Sequence, residues 1–216
     1  MVTGPVPTDA ELWRAAARER AALADDLATL TPEQWRQPSL CRGWDVEEVV
    51  AHLTAAASLG PAAWVRSMAR ARFRSAEHNR RQVARHRGAT PAETLERFRA
   101  VVDSTTAPSG HTPAYVGEVL VHAEDVRRPL GLTHDPDPAA LAAVFGFAVG
   151  RDFTVAGRTT SAGLALRADD GPSTTGEGPE VTGPTLSLLM AVAGRAAHLV
   201  DLRGPGVAVL RGRLET

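Results

Sequence analysis

The sequence predicts a mainly α protein, with a helical bundle over residues 1–136 and a small α+β lobe over residues 137–216. Three observations predict it. Capping boxes precede apolar stripes of helical period at Asp45/Glu48 and Thr90/Glu93. Proline takes the first helical position in Thr90-Pro91 and Thr112-Pro113. Beyond residues 133–138 the pattern changes to short apolar runs around a loop, 169–179, that is rich in Gly, Ser and Thr.

Each element follows in order. Thr8 or Asp9 supplies an N-cap for a first helix in which Leu12, Ala16, Leu23, Leu27 and Leu30 keep helical spacing. Thr31-Pro32-Glu33-Gln34-Trp35 reads as one short helical turn, and Pro38 and Gly43 break the loop after it. Asp45 and Glu48 cap a second helix whose Val46, Val49, Val50, Leu53 and Ala57 mark a buried face. A third helix is expected from near Pro61 through Trp64, Met68 and Phe73 to Gly88, bending or fraying at its centre. A short helix through Leu95, Phe98, Val101 and Val102 follows Thr90. The long helix opened by Thr112-Pro113 runs to Arg128, with Pro129 and Gly131 punctuating its end. In the lobe the reading is a helix over 139–149, a strand over 163–167, a helix through Leu186, Leu189, Met190 and Val192 closed by Gly194, and a final strand over 206–210.

With 44% hydrophobic and 23% charged residues, a chain of 216 residues has the make-up of a globular protein, not of a disordered or fibrous one. A net charge of -1 offers no global field for polyanions, so neither a nucleic-acid nor a membrane partner is expected. All the basic residues are arginine, a pattern given no functional weight, and the run from Arg66 to Arg87 reads as the solvated side of a helix. The single cysteine, Cys41, excludes an internal disulfide and any multi-cysteine zinc cage or iron-sulfur cluster. The N-terminus lacks a basic start and an apolar signal core, and no apolar run is long enough to span a bilayer, so the cytoplasm is the expected compartment. Walker, G-x-S-x-G and Rossmann motifs are missing.

The informative chemistry lies on the long helix. Tyr115, Glu118, His122 and Asp125 form a polar stripe beside the apolar one, and Glu118 and His122, four residues apart, project from one face and can converge on one ion. Such a pair is also an ordinary solvated helix contact, so a third ligand from another helix is needed. His52 is that candidate: it sits in Val49-Val50-Ala51-His52-Leu53, where an imidazole is otherwise a core histidine in need of a hydrogen bond. Two imidazoles and a carboxylate make a catalytic type of site for zinc or a divalent competitor, with a position left open. Asp125 can orient an imidazole from behind or replace Glu118 as a ligand, and Glu48, one turn before His52, can take a similar outer role. Cys41 reads as packing, and His78, His86, His111, His134 and His198 as surface histidines.

At these residues the chain resembles the mycothiol-dependent maleylpyruvate isomerase family, within the wider DinB-like group of metal-binding helical bundles. The resemblance is carried by Pro38-Ser39-Leu40-Cys41-Arg42-Gly43-Trp44-Asp45-Val46 with Val49-Val50-Ala51-His52-Leu53, and by Gly117-Glu118-Val119-Leu120-Val121-His122-Ala123-Glu124-Asp125. Val181-Thr182-Gly183-Pro184 and Ala193-Gly194-Arg195 resemble the family's C-terminal lobe. It implies a DinB-like four-helix bundle with a small C-terminal α+β lobe, and His52, Glu118 and His122 as metal ligands. It also implies mycothiol as cofactor, a small-molecule thiol and an electrophilic substrate as partners, and an enzyme of thiol transfer or isomerisation. A homodimer is compatible with the sequence. The alternatives are a metal hydrolase that activates water and a metal-binding protein without catalysis. Arg128 or Arg195 would suit a substrate carboxylate, and neither is assigned.

Overall fold

The computed structural model describes residues 6–215. The described chain divides into two compact units, residues 13–135 and residues 6–12 with 136–215. The architecture is mainly α, as the sequence predicts.

Helix α1 (Asp9–Ala28) opens at Thr8, whose hydroxyl accepts from Glu11 N at 3.3 Å while Glu11 Oε2 accepts from Thr8 N at 2.8 Å. After a 3₁₀ turn at Gln34–Arg36 comes α2 (Val46–Ala56), with the full capping box at Asp45 and Glu48. Then follow α3 (Pro61–Arg70), α4 (Ser75–His86), α5 (Pro91–Arg99) and α6 (Thr112–Leu130). Helix α2 is the central element, packed against α4, α5 and α6. Its Val46, Val49, Val50 and Leu53 join Leu23, Leu27, Trp35, Leu95, Phe98, Ala123 and Val126 in one core. Phe98 is fully buried there, and truncating such a ring costs about 3–5 kcal/mol.

The expected single helix from Pro61 to Gly88 is two helices. Arg72 and Phe73 break it, with φ of 54° and 56° in the left-handed region, and Phe73 is 71% exposed. From Arg72 to Ala76 every residue is exposed, so no buried apolar face offsets a break there.

Helix α6 runs through Pro129 to Leu130 and stops at Gly131, φ 69°. Proline has no N–H, so the Asp125 carbonyl loses its intrahelical donor. The amide of Leu40 takes that place at 3.0 Å, which ties the loop before α2 to the C-terminal turn of α6.

The other unit contains α7 (Pro138–Gly150), capped by Asp137, a short α8 (Gly157–Ser161), strands β1 (Ala165–Ala168), β2 (Thr174–Thr175) and β3 (Glu180–Gly183), and α9 (Thr185–Val192). A 3₁₀ segment, Ala196–Asp201, and α10 (Gly206–Leu214) complete it. The sheet order is β2-β1-β3, with β1 antiparallel to β2 and parallel to β3. Making β3 parallel to β1 requires the chain to double back beside Leu164. Gly176, at φ 77°, allows it, since a Cβ there would lie 2.1 Å from the Leu164 carbonyl oxygen. That is the physical reason for Gly176 in the 169–179 loop.

The expected final strand over 206–210 is the first turn of α10 instead. Gly206 and Leu210 are buried four residues apart while Val209 is exposed, the period of a helix, which a five-residue apolar run does not reveal. Among the histidines expected at the surface, His78 and His198 are buried, at 6% and 1% exposure.

Candidate metal centre

Helix α2 presents His52 on its side facing α6, and α6 presents Glu118 and His122 one turn apart. His52 Nε2 lies 2.7 Å from Glu118 Oε1, and His122 Nε2 lies 3.6 Å from the same oxygen. The two imidazole rings meet edge to face at 4.9 Å between centroids. Both histidines are buried, and the Glu118 side chain keeps 22% exposure, so the cluster opens to solvent on the carboxylate side.

One potential ligand atom from each of the three residues lies within 4.8 Å of the others. Three donors on a tetrahedral ion at about 2.0–2.2 Å stand roughly 3.3–3.5 Å apart. The His122–Glu118 separation already has that size, and the His52–Glu118 pair must open by roughly 0.7 Å. The donor set therefore fits a divalent ion of the zinc class.

Two carboxylates govern the proton on His122. Burial opposes charge on both Glu118 and His122, and hydrogen bonding outweighs it. Bonds from His122 and His52 hold the Glu118 carboxyl well below its usual range. On His122, bonds to Asp125 and Glu118 push the pKa up to about 9. An imidazolium at His122 is thus the proton-loaded counterpart of the cation site.

Asp125 is fully buried and its Oδ2 lies 2.9 Å from His122 Nδ1, the ring nitrogen turned away from Glu118. The structure brings Asp125 behind the cluster, in contact with His122 and outside the His52–Glu118–His122 group. Glu48 takes no such place, because its Oε2 accepts from Asp45 N at 3.0 Å in the capping box of α2. Its expected outer role is corrected to a cap.

Sequence reasoning missed three contributors. Trp44 packs on the rings of His52 and His122, at centroid distances of 4.9 Å and 6.4 Å. Its signal was its place immediately before the Asp45 cap, which fixes it on the loop end that meets α2. Cys41 stands with His122 and Asp125 in a second group whose potential ligand atoms lie within 4.8 Å of one another. Glu47, 1% exposed, accepts from Thr94 at 2.8 Å and pairs with Arg87 at 2.7 Å, which fastens α2 to the start of α5 and the end of α4. No local pattern announces a buried carboxylate whose partners lie 40 and 47 residues away.

Residues 16–114 match the family model described as mycothiol maleylpyruvate isomerase N-terminal domain. His52 lies inside that stretch, while Glu118 and His122 lie beyond its end. No curated protein matches the chain. Among solved structures the chain is similar to a crystal structure of the mycothiol-dependent maleylpyruvate isomerase, at 16% identity and a TM-score of 0.64 over 92% of this chain and 93% of that one. A mutant of that enzyme with one histidine replaced by alanine gives 15% identity and a TM-score of 0.65, with the same coverage. At such identity the likeness is one of fold. The stretch from 16 to 114 therefore belongs to the mycothiol maleylpyruvate isomerase N-terminal domain family, on a chain whose fold is that of the solved isomerase structures.

Proposed function

We propose that this chain is a divalent-metal-dependent, mycothiol-dependent enzyme that transfers the thiol to a small electrophile or isomerises it, with His52, Glu118 and His122 as ligands and zinc as the ion. The observation that supports it is the convergence of these three side chains from two helices, the first of which, with His52, lies in the stretch that matches a mycothiol-named family model. His52, Glu118 and His122 would hold the divalent ion, which would supply Lewis acidity that lowers the pKa of a thiol and favours the nucleophilic thiolate near neutral pH.

The chain's own residues have distinct tasks in this reading. Asp125 accepts from His122 Nδ1 and so turns Nε2 toward the cation site, fixing both the tautomer and the ring. Trp44 packs against the His52 ring and so covers it on one side. Glu118, the most exposed of the three, marks the side from which a thiol and its substrate reach the centre. Transfer and isomerisation share all these features, and the choice between them rests with the substrate.

The test begins with elemental analysis of purified protein. One divalent ion per chain is expected, and His52→Ala should lose it. Cobalt-substituted protein should then change its visible spectrum when mycothiol is added. Cobalt bound without any thiol-induced change would overturn the thiol chemistry and leave activated water as the nucleophile. Failure of intact protein to take up any divalent ion would overturn the whole reading.

A further inference from the structure

Helices α3 and α4 flank an open cavity of about 370 Å³, inside the range of about 300–1,000 Å³ typical of small-molecule sites. Its walls carry Arg66 and Arg70 from α3, and Arg81, Gln82 and Arg85 from α4. Each arginine pair is spaced i, i+4, so four guanidinium groups line one hollow and His86 stands at its edge. None of the three proposed metal ligands belongs to it.

The charge in this cavity is poorly compensated. Glu77 pairs with Arg81 and also with Arg80, and Arg81 Nη1 donates to the Arg70 carbonyl at 3.0 Å. Among the described residues, Arg66, Arg70 and Arg85 have no carboxylate partner. Three like charges around one small hollow repel each other, and an arginine fork matches an oxyanion in geometry as well as in charge. This is more than the solvated helix side that the sequence suggests.

A second observation is independent of charge. Gln82 is 7% exposed, and its Nε2 donates to Ser67 Oγ at 2.7 Å, while Ser67 is bonded to His78 Nδ1 at 3.0 Å. Its Oε1 is buried and has no hydrogen-bond partner. That oxygen lies behind the wall, out of a ligand's reach, and the Ser67–Gln82 bond instead pins α3 to α4 and fixes the spacing of the guanidinium groups on the two helices.

We propose that this cavity is a binding site for a small, multiply charged oxyanion, a class that includes phosphate, its monoesters and dicarboxylates. The guanidinium groups of Arg66, Arg70 and Arg85 hold the anion, at a spacing that the Ser67–Gln82 bond fixes.

Calorimetric titration of the full chain at low ionic strength tests it, with glycerol 3-phosphate, malate, inorganic phosphate and succinate as probes. Saturable binding is expected, and the tightest probe identifies the anion class, phosphate or dicarboxylate. The double variant Arg66→Gln/Arg85→Gln should weaken binding by about tenfold or more, because hydrogen bonds to charged groups are lost. Both arginines are exposed, so circular dichroism should show the fold unchanged. Arg74→Gln, outside the cavity, should change nothing, and His52→Ala should still bind. No saturable heat with any probe would overturn the proposal, as would equal losses from Arg74→Gln and the double variant, or full binding by the double variant.

Discussion

His122 is flanked by a carboxylate at each ring nitrogen, and that decides where its proton goes. In the metal-free protein its pKa stands at about 9, against 6.5 for an ordinary histidine. The folded state then binds the proton more tightly than the unfolded one. This contribution is complete below pH 6.5 and disappears as pH rises through 9. Glu118 runs the other way: its carboxyl is held below the ordinary 4.5, so its contribution is present above that pH and is lost on acidification. Chelator-treated protein should therefore lose up to about 3 kcal/mol of stability between neutral and mildly alkaline pH. Urea unfolding followed against pH measures it. His122→Gln should flatten the profile, and a wild-type profile that is already flat would contradict the double carboxylate grip. Asp125 enters the same grip from behind. Asp125→Asn keeps the shape and removes the charge, so divalent-ion affinity should fall by about 10–100-fold in competition with a chromophoric chelator. Unchanged affinity would mean that Asp125 merely fills space.

At the scale of elements, α2 is held at its N-terminus by a capping box and along its side by Glu47. Asp45→Ala should cost about 1 kcal/mol, visible as a lower melting temperature. Arg87→Leu should cost more, because it leaves the buried Glu47 with a weakened set of partners; a smaller loss than that of Asp45→Ala would show the ion pair to be incidental. Pro129→Ala supplies an N–H that competes for the Asp125 carbonyl, so the Leu40 amide should exchange hydrogen faster. An unchanged Leu40 rate would show that proline does not set that contact. These elements also show what a sequence reveals. Capping boxes, proline at the first helical position and the Glu118/His122 spacing are local, and a local pattern survives without a fold. The break at Arg72 and Phe73, the helical start at Gly206 and the Leu40–Asp125 bond depend on what packs nearby, and no periodicity encodes that. The site divides likewise. His52 stood out as an imidazole in an apolar stripe and Glu118/His122 as a pair on one face, whereas Trp44, Cys41 and Glu47 reach their places only through a loop and through partners distant in the chain.

Over the whole molecule, the cluster joins α2 to α6 inside the unit formed by residues 13–135, and the unit with the sheet supplies none of the three groups. A ligand that binds only the folded state stabilises it by an amount set by its concentration relative to its dissociation constant, about 2.7 kcal/mol at a hundredfold excess. The fold's two units make the location of that gain measurable. Hydrogen exchange with and without zinc should show amides of α2 and α6 slowed by roughly a hundredfold, the rate equivalent of that free energy. The amides of β1 and β3 serve as an internal reference, since those strands carry no ligand. The slowing should vanish in His52→Ala, because two remaining donors on one helix no longer bridge the pair. Protection that appears on β1 and β3 and not on α2 and α6 would place the ion elsewhere. Protection that survives His52→Ala would show that Glu118 and His122 hold it alone, and the bridge between helices would then have no part in binding.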